Sequence, residues 1–453
     1  MLTSIIILAY NKLEYTRACI ESIRRYTTTS SYELIVIDNG STDGTSEWLA
    51  SQSDIHAIYN HDNLGFPAGC NQGIRVANGE NILLLNNDTI VTEKWLELLE
   101  ASLYSSSDIG AVGPVSNSCS YYQTIPVNYS SITEMQEFAS NYNSESPDLW
   151  EQRIRLIGFC MLLKRAVVDA VGFLDERFFP GNFEDDDYSF RIVKAGYRLI
   201  LCRNVFVHHF QSTSFTENHA GFVDVVYTNR EKFRAKWGFD SWYSTNIRLD
   251  VIQLMNEHVS NASLCILEVG CACGATMLKI KDRYKNAELH GIELNESSAS
   301  VAASFVEMSA MNVEVVVGYP DSYFDYIILA DVLEHLYDPW VAIRNLRRCL
   351  KEDGFMLLSI PNVMHISNLR NVVQGRWTYE DAGILDRTHI RFFTLKEIDD
   401  MLQNGDFSKR EYAATGVPLT EQDEQWVDIF RKLSGMSTGE QFKAYQYLVK
   451  AAK

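Results

Sequence analysis

Three runs in the first half of the chain hold more acids and amides than turn formation alone needs. The first is Ile37, Asp38, Asn39, Gly40, Ser41, Thr42, Asp43 and Gly44, directly after an apolar stretch. Ligands of open α/β sheets sit just beyond such strand ends, although Asn, Gly, Ser and Asp are also ordinary turn formers. The second is Asn86, Asn87 and Asp88, again at the end of an apolar run. Hard oxygen donors of this kind are what Mg²⁺ or Mn²⁺ bridging a diphosphate requires. The third is Glu184, Asp185, Asp186 and Asp187, four acids in a row before a helical pattern. Acids complement a helix N-terminus, but four exceed that need, and one carboxylate placed to take a proton from a hydroxyl is the functional reading. His208 and His209 end a further strand as metal ligands or as buried, hydrogen-bonded imidazoles.

The second half carries a different pattern. Gly270, Cys271, Ala272, Cys273 and Gly274 form a small-residue turn after the apolar run Leu264 to Val269. Glu293 stands 19 positions after Gly274 (293 − 274), near the roughly 20 expected of an acid that grips ribose hydroxyls. Further on, Asp331 to Leu336 follows a strand, and Gly383 to His389 collects polar groups in an apolar neighbourhood. Candidates for a base that takes a proton from a hydroxyl are His335, Asp386 and His389, with His389 first; capping of a helix by His335 and a salt bridge between Asp386 and Arg387 are the alternatives.

A βαβ rhythm that starts twice must position these groups. It opens with a strand at Ser4 to Ala9, a helix at Arg17 to Tyr26 and a strand at Tyr32 to Ile37, and opens again at Leu264 to Val269. The pattern predicts two doubly wound α/β domains in series. The expected division is 1–240, a linker helix in 241–262, a second domain at 263–410 and a helical tail at 411–453.

Across about residues 3–240 the motifs Ile5 to Asn11, Ile37 to Thr45, Asn63 to Asn71 with Gly73, Leu85 to Thr89 and Glu184 to Arg191 resemble the family 2 glycosyltransferases of GT-A fold. The resemblance implies inverting, metal-dependent transfer from a nucleotide-diphosphate sugar. It places Asp38 on the base, with Ser41, Asp43, Asn63, Asn71 and Asn86 around the nucleotide. Asp88 holds the metal and diphosphate, His208 or His209 completes the metal shell, and Asp185 is the general base. The family's metal motif usually opens with an acid; here that position is Asn86. Residues 262–407 resemble class I S-adenosylmethionine-dependent methyltransferases, near the ubiquinone-type O-methyltransferases. By that resemblance Glu268, Gly270 and Gly274 shape the methionine and ribose end, Glu293 takes the ribose and Asp331 lies beside the cofactor. Ala272 stands where a glycine is usual.

With 40 Lys and Arg against 59 Asp and Glu, the net charge of −19 disfavours nucleic acid as a partner. Apolar runs are strand-length, so no spanning segment is expected, and the start does not read as a secretion signal. The 9 cysteines suit reduced thiols, and a cytoplasmic location follows as an expectation. These readings converge on an enzyme that adds a sugar to a glycan or glycoprotein acceptor and O-methylates a glycan hydroxyl, with peripheral association to glycan assembly enzymes. Two alternatives stay open: an active glycosyltransferase with a degenerate S-adenosylmethionine-binding domain, and a noncatalytic assembly module.

Overall fold

The computed structural model describes the chain except residues 29–30, 211–218, 316 and 436–438, and the side chains of 219–220. It falls into two compact units, Met1–Thr245 and Asn246–Lys453.

The first unit is built on a mixed eight-stranded sheet in the order β3-β2-β1-β4-β8-β6-β9-β7. Its strands are β1 (Thr3–Ala9), β2 (Tyr32–Asp38), β3 (Ile55–Tyr59), β4 (Asn81–Asn86), β6 (Ile109–Val115), β7 (Trp150–Arg153), β8 (Cys160–Lys164) and β9 (Arg198–Phe206). Strands β5 (Thr89–Ile90) and β10 (His208–His209) form a separate antiparallel ribbon. β1 is buried along almost its whole length, as a strand covered by helices on both faces must be. The helix Leu13–Tyr26 turns Thr16, Cys19, Ile20 and Ile23 inward, an i, i+3, i+4, i+7 stripe against the sheet. Because β1, β2 and β4 run parallel, their carboxyl ends and the loops beyond them share one edge. β8 runs antiparallel to β4, so the start of β8 reaches that same edge, with Leu85 beside Cys160.

The second unit holds a seven-stranded sheet ordered β13-β12-β11-β14-β15-β17-β16. Its strands are β11 (Cys265–Val269), β12 (Glu288–Ile292), β13 (Glu307–Ser309), β14 (Phe324–Ala330), β15 (Leu350–Pro361), β16 (Lys409–Gly416) and β17 (Ala444–Ala452). The sheet is parallel through β15 and reverses at β17, which pairs antiparallel with both β15 and β16. Two α/β units in series therefore stand as expected.

Two local expectations are corrected. The stretch 241–262 is not one linker helix: only Ser241–Ser244 and Leu249–Ile252 are helical, and they fall in different units. The tail 411–453 is not purely helical: a helix at Glu421–Ser434 is followed by β17, whose alanines, leucine and lysine suit a helix but whose place between two strands decides otherwise. Among the described residues no helix is long and apolar enough to cross a membrane.

Candidate functional site

At the carboxyl edge of the first sheet, the turn after β2 is locked to the turn after β1. Ser41 Oγ accepts the Asn11 N–H at 2.8 Å, Asn11 Oδ1 accepts the Thr42 N–H at 2.8 Å, and Asp43 Oδ2 accepts the Leu13 N–H at 2.9 Å. Asp38 is buried at 1% exposure, with Oδ1 accepting the Ser41 N–H at 3.0 Å and Oδ2 accepting the Ser46 hydroxyl. Buried Asn39 extends the lock: its Nδ2 donates to Asn63 Oδ1 at 2.8 Å, and its Oδ1 accepts the Leu64 N–H at 3.1 Å. The structure thus brings Asp38, Ser41, Asp43 and Asn63 into one rigid turn assembly. Asn71 is used elsewhere. Buried at 1% exposure, it donates to Leu174 O and Glu176 Oε1, both at 2.9 Å, and accepts the Leu174 N–H at 3.0 Å. Its amide pins the segment that leads toward the acidic run.

The β5–β10 ribbon folds the histidines back over the end of β4. His209 Nδ1 donates to Ser118 O at 2.9 Å, which leaves Nε2 facing Asp88 Oδ1 at 3.2 Å. Burial alone would lower the His209 value, but the hydrogen bond and charge of Asp88 raise it. His208 turns to Tyr129, whose OH lies 2.7 Å from its Nδ1, and burial with the neighbouring His209 lowers it to about 4. Of the two imidazoles, His209 is the one at Asp88. An imidazole fixed through Nδ1 by a carbonyl, with Nε2 directed at a carboxylate, has the orientation that metal-ligating histidines adopt. Asn86 closes the group: its N–H donates to Phe159 O at 2.8 Å, and the Phe159 ring stacks on His209 at 5.2 Å.

The residue before Phe159 leads to the acidic run. Gly158 N–H donates to Asp185 Oδ2 at 2.9 Å, and a Cβ at 158 would come within 3.2 Å of the Asp185 Cβ, so glycine allows the approach. The four acids open the helix Glu184–Lys194 and divide by their partners. Asp186 is buried against Arg155 and accepts the Ser241 hydroxyl at 2.5 Å. Asp187, fully buried, takes Arg191 Nε at 2.9 Å, Trp237 Nε1 at 2.9 Å and Lys236 Nζ at 2.5 Å. Glu184 is buried with Oε2 lacking a hydrogen bond, and burial followed by the charge of Asp185 raises it well above the carboxylate range. Asp185 alone is partly exposed, and burial together with the Asp186 charge pushes it up to about 6. That value suits a group that takes a proton near neutral pH.

In the second unit, Gly270 (φ +70°) and Gly274 (φ +79°) both sit in the left-handed region and flank the turn after β11. A Cβ on Gly270 would stand 2.9 Å from Val332 Cγ2. Glu293 is aimed by two backbone amides, the Ala272 N–H at 2.9 Å and the Asn295 N–H at 2.7 Å. Glu268 is 4% exposed, its Oε2 has no hydrogen-bond partner among the described residues, and burial pushes it up to about 8 despite nearby Arg248. An orphaned carboxylate oxygen beside two Cβ-free positions fits a ligand rich in hydrogen-bond donors, as a nucleoside with an amino-acid arm is. Asp331 is already engaged: Oδ2 pairs with Arg248 Nη1 at 2.5 Å, and Oδ1 accepts Ser359 Oγ and Gln446 Nε2, both at 2.9 Å.

Beyond β14, His389 Nδ1 donates to Ile384 O at 2.9 Å and His335 Nδ1 donates to Thr388 O at 3.2 Å. The two rings meet edge to face at 4.8 Å. Glu334 is buried at 1% exposure, and among the described residues neither carboxylate oxygen finds a hydrogen-bond partner. One donor atom each from Glu334, His335 and His389 lie within 4.8 Å of one another, so the trio can share protons or hold a cation. A cleft of about 490 Å³ lined by Tyr379, Arg387, His389, Ile390 and Phe392 reaches His389. Asp386 accepts the Thr388 N–H at 2.8 Å and its hydroxyl at 2.6 Å; those bonds outweigh burial and lower its value. It shapes the loop that carries His389. Reasoning from sequence missed Arg248 and the orphaned Glu334. Glu334 stands in a polar run at a strand end, a signal of the same kind as Asp331, whereas nothing local marks Arg248.

Comparison with known proteins agrees with this division. Residues 4–172 match the glycosyl transferase family 2 model, and residues 239–412 match a methyltransferase domain model. The chain is 27% identical over 204 residues to the low-salt glycan biosynthesis hexosyltransferase Agl10 of Haloferax volcanii, an overlap of 42% of this chain and 64% of that protein. It is 27% identical over 215 residues to the glycosyltransferase AglE of the same organism, covering 46% of this chain and 66% of that one. The chain therefore spans just under two thirds of these two relatives. The second unit resembles the ubiquinone biosynthesis O-methyltransferase of Psychrobacter cryohalolentis, 24% identical over 198 residues, 40% of this chain and 75% of the relative. The chain thus carries a glycosyl transferase family 2 domain at residues 4–172 and a methyltransferase domain at residues 239–412.

Proposed function

We propose that the chain is bifunctional: the first domain transfers a sugar from a nucleotide-diphosphate sugar to an acceptor hydroxyl with inversion, and the second O-methylates a glycan hydroxyl using S-adenosylmethionine. The observation that carries the reading is the division of the acidic run. Arg155, Arg191, Lys236, Trp237 and Ser241 engage Asp186 and Asp187, so that Asp185 alone meets solvent with a raised proton affinity. In this reading the locked turn around Asp38 and Asn63 seats the nucleotide, while Asp88 and His209 hold Mg²⁺ or Mn²⁺. The ion supplies positive charge against the departing diphosphate. Asp185, oriented by the Gly158 N–H, takes the acceptor proton as its oxygen attacks.

In the second domain Glu268, Glu293 and the turn Gly270–Gly274 hold the cofactor, which supplies the electrophilic methyl group. His389 keeps its proton on Nδ1 through Ile384, so Nε2 is the basic nitrogen, and the cleft beside it admits the acceptor hydroxyl. The test is a panel of nucleotide sugars screened for slow Mn²⁺-dependent hydrolysis, then transfer by wild type and Asp185→Asn. Loss of transfer with retained donor binding supports the reading; transfer at the wild-type rate by Asp185→Asn overturns it.

A second reading, a methyltransferase domain that no longer turns over, is favoured by the Arg248–Asp331 pair at the edge where the cofactor would lie. Calorimetry with S-adenosylmethionine separates the two. Binding by wild type followed by methyl transfer to a glycosylated acceptor supports turnover, whereas binding without transfer, or binding that appears only in Arg248→Gln, supports the second reading.

A further inference from the structure

A second group of metal-type donors lies at the opposite end of β11 and β12 from the glycine turn. Cys265 opens β11 and is the register partner of Glu288, which opens β12; His290 follows two residues later and so shares a face with Glu288. One donor atom each from Cys265, Glu288 and His290 lie within 4.8 Å of one another. His290 is only 2% exposed; its Nε2 lies 2.9 Å from Glu288 Oε1. Among the described residues its Nδ1 makes no hydrogen bond, with Glu307 Oε2 waiting at 3.7 Å. Tyr323 OH donates to the same Glu288 oxygen at 2.9 Å. A cleft of about 310 Å³, lined in part by Cys265, Glu288, Tyr323 and Lys351, opens onto the group. Lys351 is paired with Asp325 at 2.8 Å, so Glu288 and Glu307 leave the surroundings negative.

We propose that Cys265 Sγ, one Glu288 oxygen and His290 Nε2 bind a divalent cation of the Zn²⁺ class, with the fourth position open to the cleft. A thiolate, an imidazole and a carboxylate together suit zinc rather than Mg²⁺ or Ca²⁺. Tetrahedral bonds of about 2.0 to 2.3 Å separate ligands by about 3.3 to 3.7 Å, so the donors shift by less than about an ångström to bind. The cation takes the place of the proton between Nε2 and Glu288. That proton reappears on Nδ1, where Glu307 accepts it, and the Cys265 thiol releases its own proton to solvent. Five strand residues, roughly 16 Å, separate this group from the Gly270 turn, so the site is distinct from the cofactor edge. Bound there, the cation ties together the starts of the two strands whose far ends carry Gly270 and Glu293.

The test titrates the full chain, stripped of metal, with Co²⁺ and then Zn²⁺. The expected result is a near-ultraviolet thiolate-to-cobalt absorption that saturates at one equivalent, is displaced by Zn²⁺, and vanishes in Cys265→Ser. Glu288→Gln, at a half-exposed position that leaves the fold intact, should weaken Co²⁺ affinity at least tenfold. An ion at Asp88 and His209 has no thiolate and gives no such band. Absence of the band in wild type, or its persistence in Cys265→Ser with Cys271 or Cys273 as the source, overturns the proposal.

Discussion

Sugar transfer should lose its activity on the acid side at an unusually high pH. Asp185 is pushed up to about 6 by burial and by Asp186, so its basic form is about 91% of the population at pH 7 and about 9% at pH 5. Transfer under subsaturating acceptor should therefore fall about tenfold between those values, two units above where an ordinary aspartate would impose the limb. Asp186→Asn gives the sharper test. It removes the neighbouring charge that raises Asp185 and leaves Arg155, which lowers it, without its partner. The acid limb should move down, each unit corresponding to about 1.4 kcal/mol. The assay is product formation at fixed ionic strength from pH 4.5 to 8, with thermal unfolding at each pH to exclude loss of fold. The folded value lies above the ordinary one, so ionising Asp185 costs folding free energy as pH rises through about 6. Asp185→Asn should accordingly be at least as stable as wild type at pH 7 while inactive. A limb near pH 4, or a limb near 6 that ignores the loss of Asp186, would refute the reasoning.

Other substitutions probe the supports. Asp187→Ala should destabilise the first unit by about 3 to 5 kcal/mol in denaturant unfolding, because it strands Arg191 and Lys236 around a buried cavity. Gly270→Ala forces a side chain into the left-handed region against Val332, costing about 1 to 2 kcal/mol and weakening S-adenosylmethionine binding in calorimetry. Chelation should abolish sugar transfer, with Mn²⁺ restoring it in wild type but poorly in His209→Ala; restoration that is equal in both would remove His209 from the metal shell. His389→Ala should eliminate methyl transfer and leave sugar transfer unchanged, as product analysis of each step would report.

Much of this arrangement was legible in the chain because the decisive neighbours are local. The turn Gly270–Gly274 and Glu293 announce themselves through spacing, and in the fold Glu293 does take the Ala272 N–H. The distinction among the four acids was not legible. Apart from the local Arg191, what separates Asp186 and Asp187 from Asp185 comes from Arg155, about 30 residues earlier, and from Lys236, Trp237 and Ser241, about 50 residues later. Arg248 escaped for the same reason, since Asp331 lies 83 positions away. Asn71 misled because its type suited a polar ligand, whereas its partners are the backbone of Leu174 and the side-chain carboxylate of Glu176. β17 misled because Ala, Leu and Lys favour helices locally and only the gap between two strands makes them extended.

That inserted strand also dictates an order of assembly. β16 touches the sheet only through β17, and β17 pairs with β15 across roughly ninety intervening residues. Until the later segment slides in, β15 shows a bare row of amides and carbonyls, the template on which chains stick to one another. Lesions between 421 and 443 that delay this insertion should therefore surface first as clumping during refolding, well before any defect in either chemistry.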